Sequence, residues 1–405
     1  DTWGINGDFL GPTIRASRGD SVAVTVKNEL PEPTTVHWHG MELPGWADGG
    51  PQQLIHPGEQ RTVEWTIDQP AATLWYHPHP HKRTGAHVRK GLSGIFIVDD
   101  EESPETLPSV YGVNDIPVIV QDRSFNSAGQ FRAQRPFGNV VGELGDTILV
   151  NGTVEPYVDV EHAVIRLRLL NGSNSRVYNF HFDDNRTFSV IASDGGLLAQ
   201  PVSTDEIQLL PGERTEVLVR MYEGETVRLQ SSGVDIGMGF PMSMLNGGAD
   251  RFDILELRAK SQLAGPAVVP ENLRQAEEPD WNDFDNVRRF ELGEFSTING
   301  KEMDMHRIDA NPSLGSTEVW TVENSSGTFH NFHIHGVQFK IIDVDGKAPP
   351  EYMAGRKDTV QILPSSTVRL YVDFLNPASN EFPFMFHCHL LAHEDAGMMG
   401  QFTVK

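Results

Sequence analysis

Apolar and polar residues alternate one for one along several short segments: 21–27 (SVAVTVK), 62–67 (TVEWTI), 116–122 (IPVIVQD) and 165–170 (IRLRLL). A period of two puts successive side chains on opposite faces of a pleated strand, and the β-branched content suits that geometry. Between such runs stand turn formers, among them Arg18-Gly19-Asp20, Pro57-Gly58-Glu59, Pro211-Gly212-Glu213 and Asp345-Gly346. No long segment carries the 3.6-residue period of a helix, so the pattern predicts an all-β sandwich or barrel architecture. A turn followed by a strand pair recurs at 57–63, at 211–217 and, more distantly, at 364–368, which three similar barrels would explain. Two Pro- and acid-rich stretches of weak period, 99–108 and 261–285, read as linkers. Cutting there gives units 1–106, 107–265 and 266–405.

Charge removes some functions from this picture. Thirty-two Lys and Arg against 56 Asp and Glu leave a net charge of −24 in 405 residues, which argues against a nucleic-acid partner and against an anionic membrane. It favours attraction of cations. No apolar run of about 18 residues is present, so no membrane span is expected. The single cysteine excludes an intramolecular disulfide. The chain opens at Asp1-Thr2-Trp3 without a Met, so a removed leader and an exported, periplasmic or extracellular location are expected.

The histidines carry the chemistry. Of 16, ten fall in four clusters: His37-Trp38-His39, His77-Pro78-His79, His330-Asn331-Phe332-His333-Ile334-His335, and His387-Cys388-His389 with His393. Each cluster holds His-x-His, which on a strand aims both rings to one side, so four pairs can present eight imidazoles to one cavity. Neutral imidazoles suit borderline metal ions. Parity assigns the remainder. His330, three positions before His333, faces the other way, and so does Cys388 between its two histidines. His330, Cys388, His393 and Met398 then make a mononuclear site beside the polynuclear one, and the backbone of 387–389 joins the two as a short path for electrons. Thiolate, two imidazoles and a weak thioether match an electron-transfer copper better than a structural zinc site, which would be richer in cysteine. A one-electron centre feeding a cluster suits dioxygen, which takes four electrons to become water. Protons must arrive too, which makes Asp48 and Glu394 candidates for acid–base work, or for holding a histidine ring.

At these residues the chain resembles the three-domain bacterial multicopper oxidases, the group of copper-efflux cuprous oxidases and laccase-like enzymes. The motifs are His37-Trp38-His39-Gly40, Trp75-Tyr76-His77-Pro78-His79, 330–336 (HNFHIHG) and 387–399, with Asp48-Gly49-Gly50-Pro51-Gln52, 68–73 (DQPAAT) and Ser193-Asp194-Gly195-Gly196 between them. The resemblance implies three cupredoxin-like Greek-key β-barrels, the middle one a spacer, and four coppers. By it, type 1 copper takes His330, Cys388, His393 and axial Met398; type 2 takes His37 and His333; the type 3 pair takes His39, His77, His79, His335, His387 and His389. Asp48 and Glu394 match acids of proton delivery. Copper-efflux members carry a long Met-rich insertion in the third unit, whereas 285–305 here has only Met303 and Met305. They also place an acid and a Met before the first type 1 histidine, where this chain reads Ser325-Ser326-Gly327-Thr328. A more open type 1 site is expected from these departures.

The expected function is laccase-like: a monomer oxidising small phenolic donors near a solvent-edge His393 and reducing dioxygen to water. The alternatives are a cuprous oxidase for copper detoxification, with Met238, Met242 and Met244 as further soft groups, and a scaffold without catalysis. His81 and His87 are candidates to line a channel.

Overall fold

The computed structural model of the chain describes residues 2–132, 139–276 and 279–405. Among the described residues the strands form six sheets, two drawn from residues 14–99, two from 115–264 and two from 286–402. The predicted strands are present: Ser21–Lys27, Gln60–Thr66, Asp115–Arg123 and Val164–Asn171. Helices are short, the longest described one being Thr84–Lys90. One boundary differs from expectation. Strand Phe252–Ala264 runs into the stretch read as linker, because Ala264 still pairs with His162.

The recurring pattern has a physical basis in three asparagines that close three strands. Asn28, Asn171 and Asn324 each donate both amide hydrogens to carbonyls, one a few residues ahead and one far along the chain. The acceptors are Glu32 and Ile55, Arg176 and Leu209, and Thr328 and Ile362, at 2.8 to 3.0 Å. In each case the side-chain oxygen accepts from the backbone N–H two residues on. Only an amide supplies two donors and an acceptor in so small a group. Two residues past each distant carbonyl stands a proline turn, and the chain then returns antiparallel to the strand the asparagine closed.

Packing sets where chemistry can sit. Trp38 and Phe96 share one apolar cluster with Phe332, Phe386 and Phe402, so the first and last pairs of sheets meet through a common core. The central sheets fill their own core around Val118, Leu167 and Val219. They are tied to the first by buried charge: Arg168 bonds Asp115 at 2.6 Å and Glu216 at 2.9 Å, and Thr73 donates to Glu216 at 2.6 Å. Burial alone would raise the Glu216 carboxyl; Arg166 and Arg168 reverse that and hold it at about 2.

Candidate metal centres

Strand register brings the histidines face to face. His37 pairs directly with His77 across one antiparallel ladder, and His333 directly with His387 across another. His39 lies two residues on in the first ladder, while His79, His335 and His389 follow just past the ends of their strands. All eight rings are buried. The rings interleave, His37 stacking on His335 at 3.8 Å and His333 on His39 at 3.7 Å. His79, His335 and His387 have centroids 4.8 to 5.3 Å apart, with the His387 Nε2 3.1 Å from each of the other two Nε2 atoms. His39, His77 and His389 lie 5.0 to 5.6 Å apart. His37 and His333 remain, 5.9 Å from one another.

The backbone orients half of these rings. Carbonyls of Asp48, Pro78, Asp358 and Cys388 face the Nδ1 atoms of His37, His77, His333 and His387 at 2.8 to 3.1 Å. A carbonyl can only accept, so each ring donates from Nδ1 and turns its Nε2 lone pair inward. The Nε2 atoms of His37, His333 and His389 are buried without a partner, a cost that a bound cation removes. Burial first, and repulsion between neighbouring rings second, push His77, His79, His335, His387 and His389 well below the usual imidazole range. Neutral, inward lone pairs are what a metal cluster requires.

The second centre lies on the opposite face of 387–389. The Cys388 Sγ stands 3.6 Å from His330 Nδ1 and 3.7 Å from His393 Nδ1, and the two ring nitrogens are 3.1 Å apart. Met398 is buried in the same apolar cluster, its carbonyl accepting from the Cys388 N–H. Burial pushes the Cys388 thiol up to about 12, so a thiolate forms here only with a cation to stabilise it. The residues present therefore fit both a soft mononuclear site and a cluster of borderline ions.

Both acids expected from sequence adjoin the cavity. Asp48 Oδ2 accepts from His335 Nδ1 at 2.9 Å. Glu394 places Oε2 3.3 Å from His387 Nδ1 and Oε1 3.7 Å from His79 Nε2. Burial first and Asp395 second raise the Glu394 carboxyl well above the usual range. Asp395 holds its helix in place by accepting from the Thr84 and Gly85 N–H groups.

Several residues were missed. Asp358 meets His39 Nε2 at 3.0 Å and is held by Arg214. Asn331 accepts from the His389 N–H and donates to the Pro211 carbonyl. Ser326 lies 3.0 Å from His330 Nε2. The available signal was an acid, Asp358, directly before the short strand Thr359–Ile362. One expectation is corrected. His393 is not at a solvent edge but 1% exposed, and its Nε2 donates to the Val140 carbonyl at 2.8 Å. Residues 139–144 cover it, pinned by the bond from the Val140 N–H to Asn246 and by buried Val141 and Leu144. His87 is likewise packed, between Glu32 at 2.7 Å and Thr34 at 3.1 Å, rather than lining a channel. Met238 is buried and Met244 exposed.

Known proteins match the sequence and the fold along the whole chain. Multicopper oxidase family models match residues 1–103, 114–227 and 271–405. The multicopper oxidase mco of Staphylococcus haemolyticus is 40% identical over 410 residues, covering 100% of this chain and 84% of its own. The cell division protein FtsP of Xenorhabdus nematophila is 38% identical over 407 residues, covering 100% and 85%. The solved structure of the laccase-like multicopper oxidase CueO from the lignin-degrading bacterium Ochrobactrum sp. superposes with a TM-score of 0.91 at 36% identity, covering 100% of this chain and 92% of that one.

Proposed function

The chain belongs to the multicopper oxidase family, a copper-dependent oxidoreductase with a cupredoxin-like fold, and from that premise we propose that it oxidises phenol-like donors and passes their electrons to dioxygen. Bound copper supplies the one-electron steps at the Cys388 side and the four-electron reduction of dioxygen at the histidine side. In this reading His330, Cys388, His393 and Met398 hold one copper. His37 and His333 hold a second, and His39, His77, His79, His335, His387 and His389 hold a pair. The units are 1–106, 107–265 and 266–405.

The alternation of His387, Cys388 and His389 carries the proposal. Cys388 lies with His330 and His393 while its neighbours join the eight-ring cavity, so the two centres are separated by a few covalent bonds. Glu394, whose carboxyl is raised by burial and by Asp395, stands beside His79 and His387, where it can pass a proton toward the cavity. Asp48 orients His335 through Oδ2, and its buried Oδ1 lies 3.3 Å from His37 Nδ1. Oxygen uptake driven by a phenol in copper-loaded protein tests the proposal, and no turnover there rejects it. Cys388→Ser should lack the blue absorption and retain the histidine-bound coppers.

Because the His393 ring is covered, the donor must approach through what covers it. Phe295 is 43% exposed and stands edge-on to His393 at 5.6 Å, which makes it the aromatic face a planar donor can stack on. Phe295→Ala should raise KM for a phenol roughly three- to tenfold at unchanged blue absorption. An unchanged KM places the donor elsewhere. The CueO relative acts on lignin model compounds, in keeping with this class.

The same cover favours a second reading, cuprous oxidase, since a bare ion needs less room than an arene. The Met242 carbonyl accepts from the side chain of Asn246, the residue that holds Val140 and follows directly on helix Met242–Leu245. Saturable Cu(I) oxidation, with phenol turnover dependent on added copper, would establish this reading over the first. A non-catalytic scaffold role is disfavoured by the intact set of soft donors, and failure to bind copper would restore it. We take the enzyme to be exported and monomeric, the net charge of −24 keeping copies apart. Light scattering and cell fractionation check both.

A further inference from the structure

On the reading that copper fills the eight-histidine cavity, we propose that Asp358, locked by Arg214, is a positioning residue that decides which nitrogen His39 offers to the metal. Five rings, His37, His77, His333, His335 and His387, meet an oxygen acceptor at Nδ1 and so present Nε2. His39 is turned the other way. Its Nε2 faces Asp358 Oδ1 at 3.0 Å, and its Nδ1 faces His77 Nε2 at 3.4 Å inside the trio with His389.

The carboxylate has no freedom to do otherwise. Oδ1 also accepts from Arg214 Nη1 at 2.8 Å and from the Thr359 hydroxyl at 2.9 Å. Oδ2 accepts from Arg214 Nη2 at 2.7 Å and Gln338 Nε2 at 2.9 Å. A two-pronged guanidinium grip fixes the carboxylate plane and keeps it an acceptor, so His39 must donate from Nε2 and its lone pair sits on Nδ1. The backbone carbonyl of the same residue fixes His333 in the opposite sense, at Nδ1, 2.8 Å away. The two rings then stack, with centroids 3.7 Å apart and planes 8° from parallel. One residue thereby sets two neighbouring ligands to present different nitrogens.

The lock comes from the central unit. Arg214 follows the turn Pro211-Gly212-Glu213, and that turn lies on the cavity wall: a Cβ on Gly212 would come within 3.2 Å of His389 and His39. Lys357, next to Asp358, bonds Asp194 at 2.8 Å and Glu213 at 3.1 Å, also of the central unit. The middle of the chain thus grips the ligand set rather than merely spacing its two halves. Asp358 also lies close enough to His39 and His333 to serve as a ligand itself. With both oxygens taken by Arg214, the orienting role is favoured.

The test reads tautomers and metal content apart from turnover. In histidine-labelled, copper-free protein, nitrogen NMR should find the His39 proton on Nε2 in the parent and in Asp358→Asn, which keeps an acceptor oxygen, and on Nδ1 or both in Asp358→Ala. Competitive chelation should show roughly tenfold or greater loss of affinity for cluster copper in Asp358→Ala, a smaller loss in Asp358→Asn, and the blue absorption of the Cys388 site unchanged in both. Should Asp358→Ala fail to fold, Arg214→Lys, which loosens the two-pronged grip, should give an intermediate loss. A His39 proton on Nδ1 in the parent, unchanged cluster affinity in Asp358→Ala, or equal losses in Ala and Asn variants, as direct ligation requires, would overturn the proposal. Parent protein that takes up no copper would instead defeat the oxidase reading and leave the tautomer result standing.

Discussion

Two turns in this protein share a sequence and a backbone and differ in what they do. Pro57-Gly58-Glu59 and Pro211-Gly212-Glu213 each put the glycine at positive φ, +82° and +88°. Each glycine N–H bonds the carbonyl of the unit's closing asparagine, Asn28 at 2.8 Å and Asn171 at 2.9 Å. Each glutamate accepts from the N–H three residues back, His56 at 3.1 Å and Leu210 at 2.7 Å. Beyond that the likeness stops. A Cβ on Gly58 would meet open space, whereas one on Gly212 would meet two histidine rings. Glu59 is exposed, while Glu213 is buried against Lys357. Burial first raises the Glu213 carboxyl, with Lys357 opposing. Gln60, exposed, stands where the second turn has fully buried Arg214. Local chemistry makes the turn; what lies opposite makes it part of a site.

The sharpest way to break the comparison is to add one methyl to each turn. Gly58→Ala and Gly212→Ala should both lose about 1–2 kcal/mol to the left-handed backbone, visible in thermal unfolding of the copper-free proteins. Only Gly212→Ala should also displace His389 and His39, weakening copper binding roughly tenfold or more in a chelator titration. Equal copper affinities in the two variants would mean the second turn does not touch the ligand set.

A second contrast, which leaves the copper ligands aside, lies three residues after each glutamate, where the first strand has Thr62, bonded to the Thr25 hydroxyl at 2.8 Å, and the second has Glu216 between two arginines. With its folded pKa at about 2, below the usual carboxylate value, Glu216 stabilises the fold at neutral pH, and that stability is lost as pH falls from about 4.5 toward 2. The loss is on the order of 3 kcal/mol. Glu216→Gln should be less stable at neutral pH and lose less on acidification in denaturant titrations. The corresponding change Thr62→Val should leave the acid profile as it is.

The smallest effect belongs to Glu59→Gln. The bond to the His56 N–H is exposed, so about 0.5 kcal/mol should be lost, with copper content unaltered. A measurable loss of copper would show the first turn coupled to the cavity after all.

These contrasts mark how far the sequence reaches. The period of two encodes the strands, and the parity of His330, His333, His387 and Cys388 encodes which side each faces, because both are properties of adjacent residues. The cover over His393 is not encoded in this way. Its key atom is the backbone oxygen of Val140, which every residue type possesses, 253 positions from the histidine it meets. Absence of a methionine insertion therefore reads as openness when another loop closes the same face. Asp358 and Arg214 are 144 positions apart, and nothing near either announces the other beyond charge in apolar surroundings. Likewise the repeated Pro-Gly-Glu turn is plain in the sequence, but only the packed structure says that one copy lies against the metal-binding rings.

The asparagine clasps separate inheritance of shape from inheritance of chemistry. They occur at Asn28, Asn171 and Asn324, yet the cavity histidines come from the first and last stretches alone. The middle copy keeps its form with no imidazole in the cavity, so the architectural instructions do not include the metal. The clasp and turn that shape each unit are thus separate from the residues that give two of the three their chemistry.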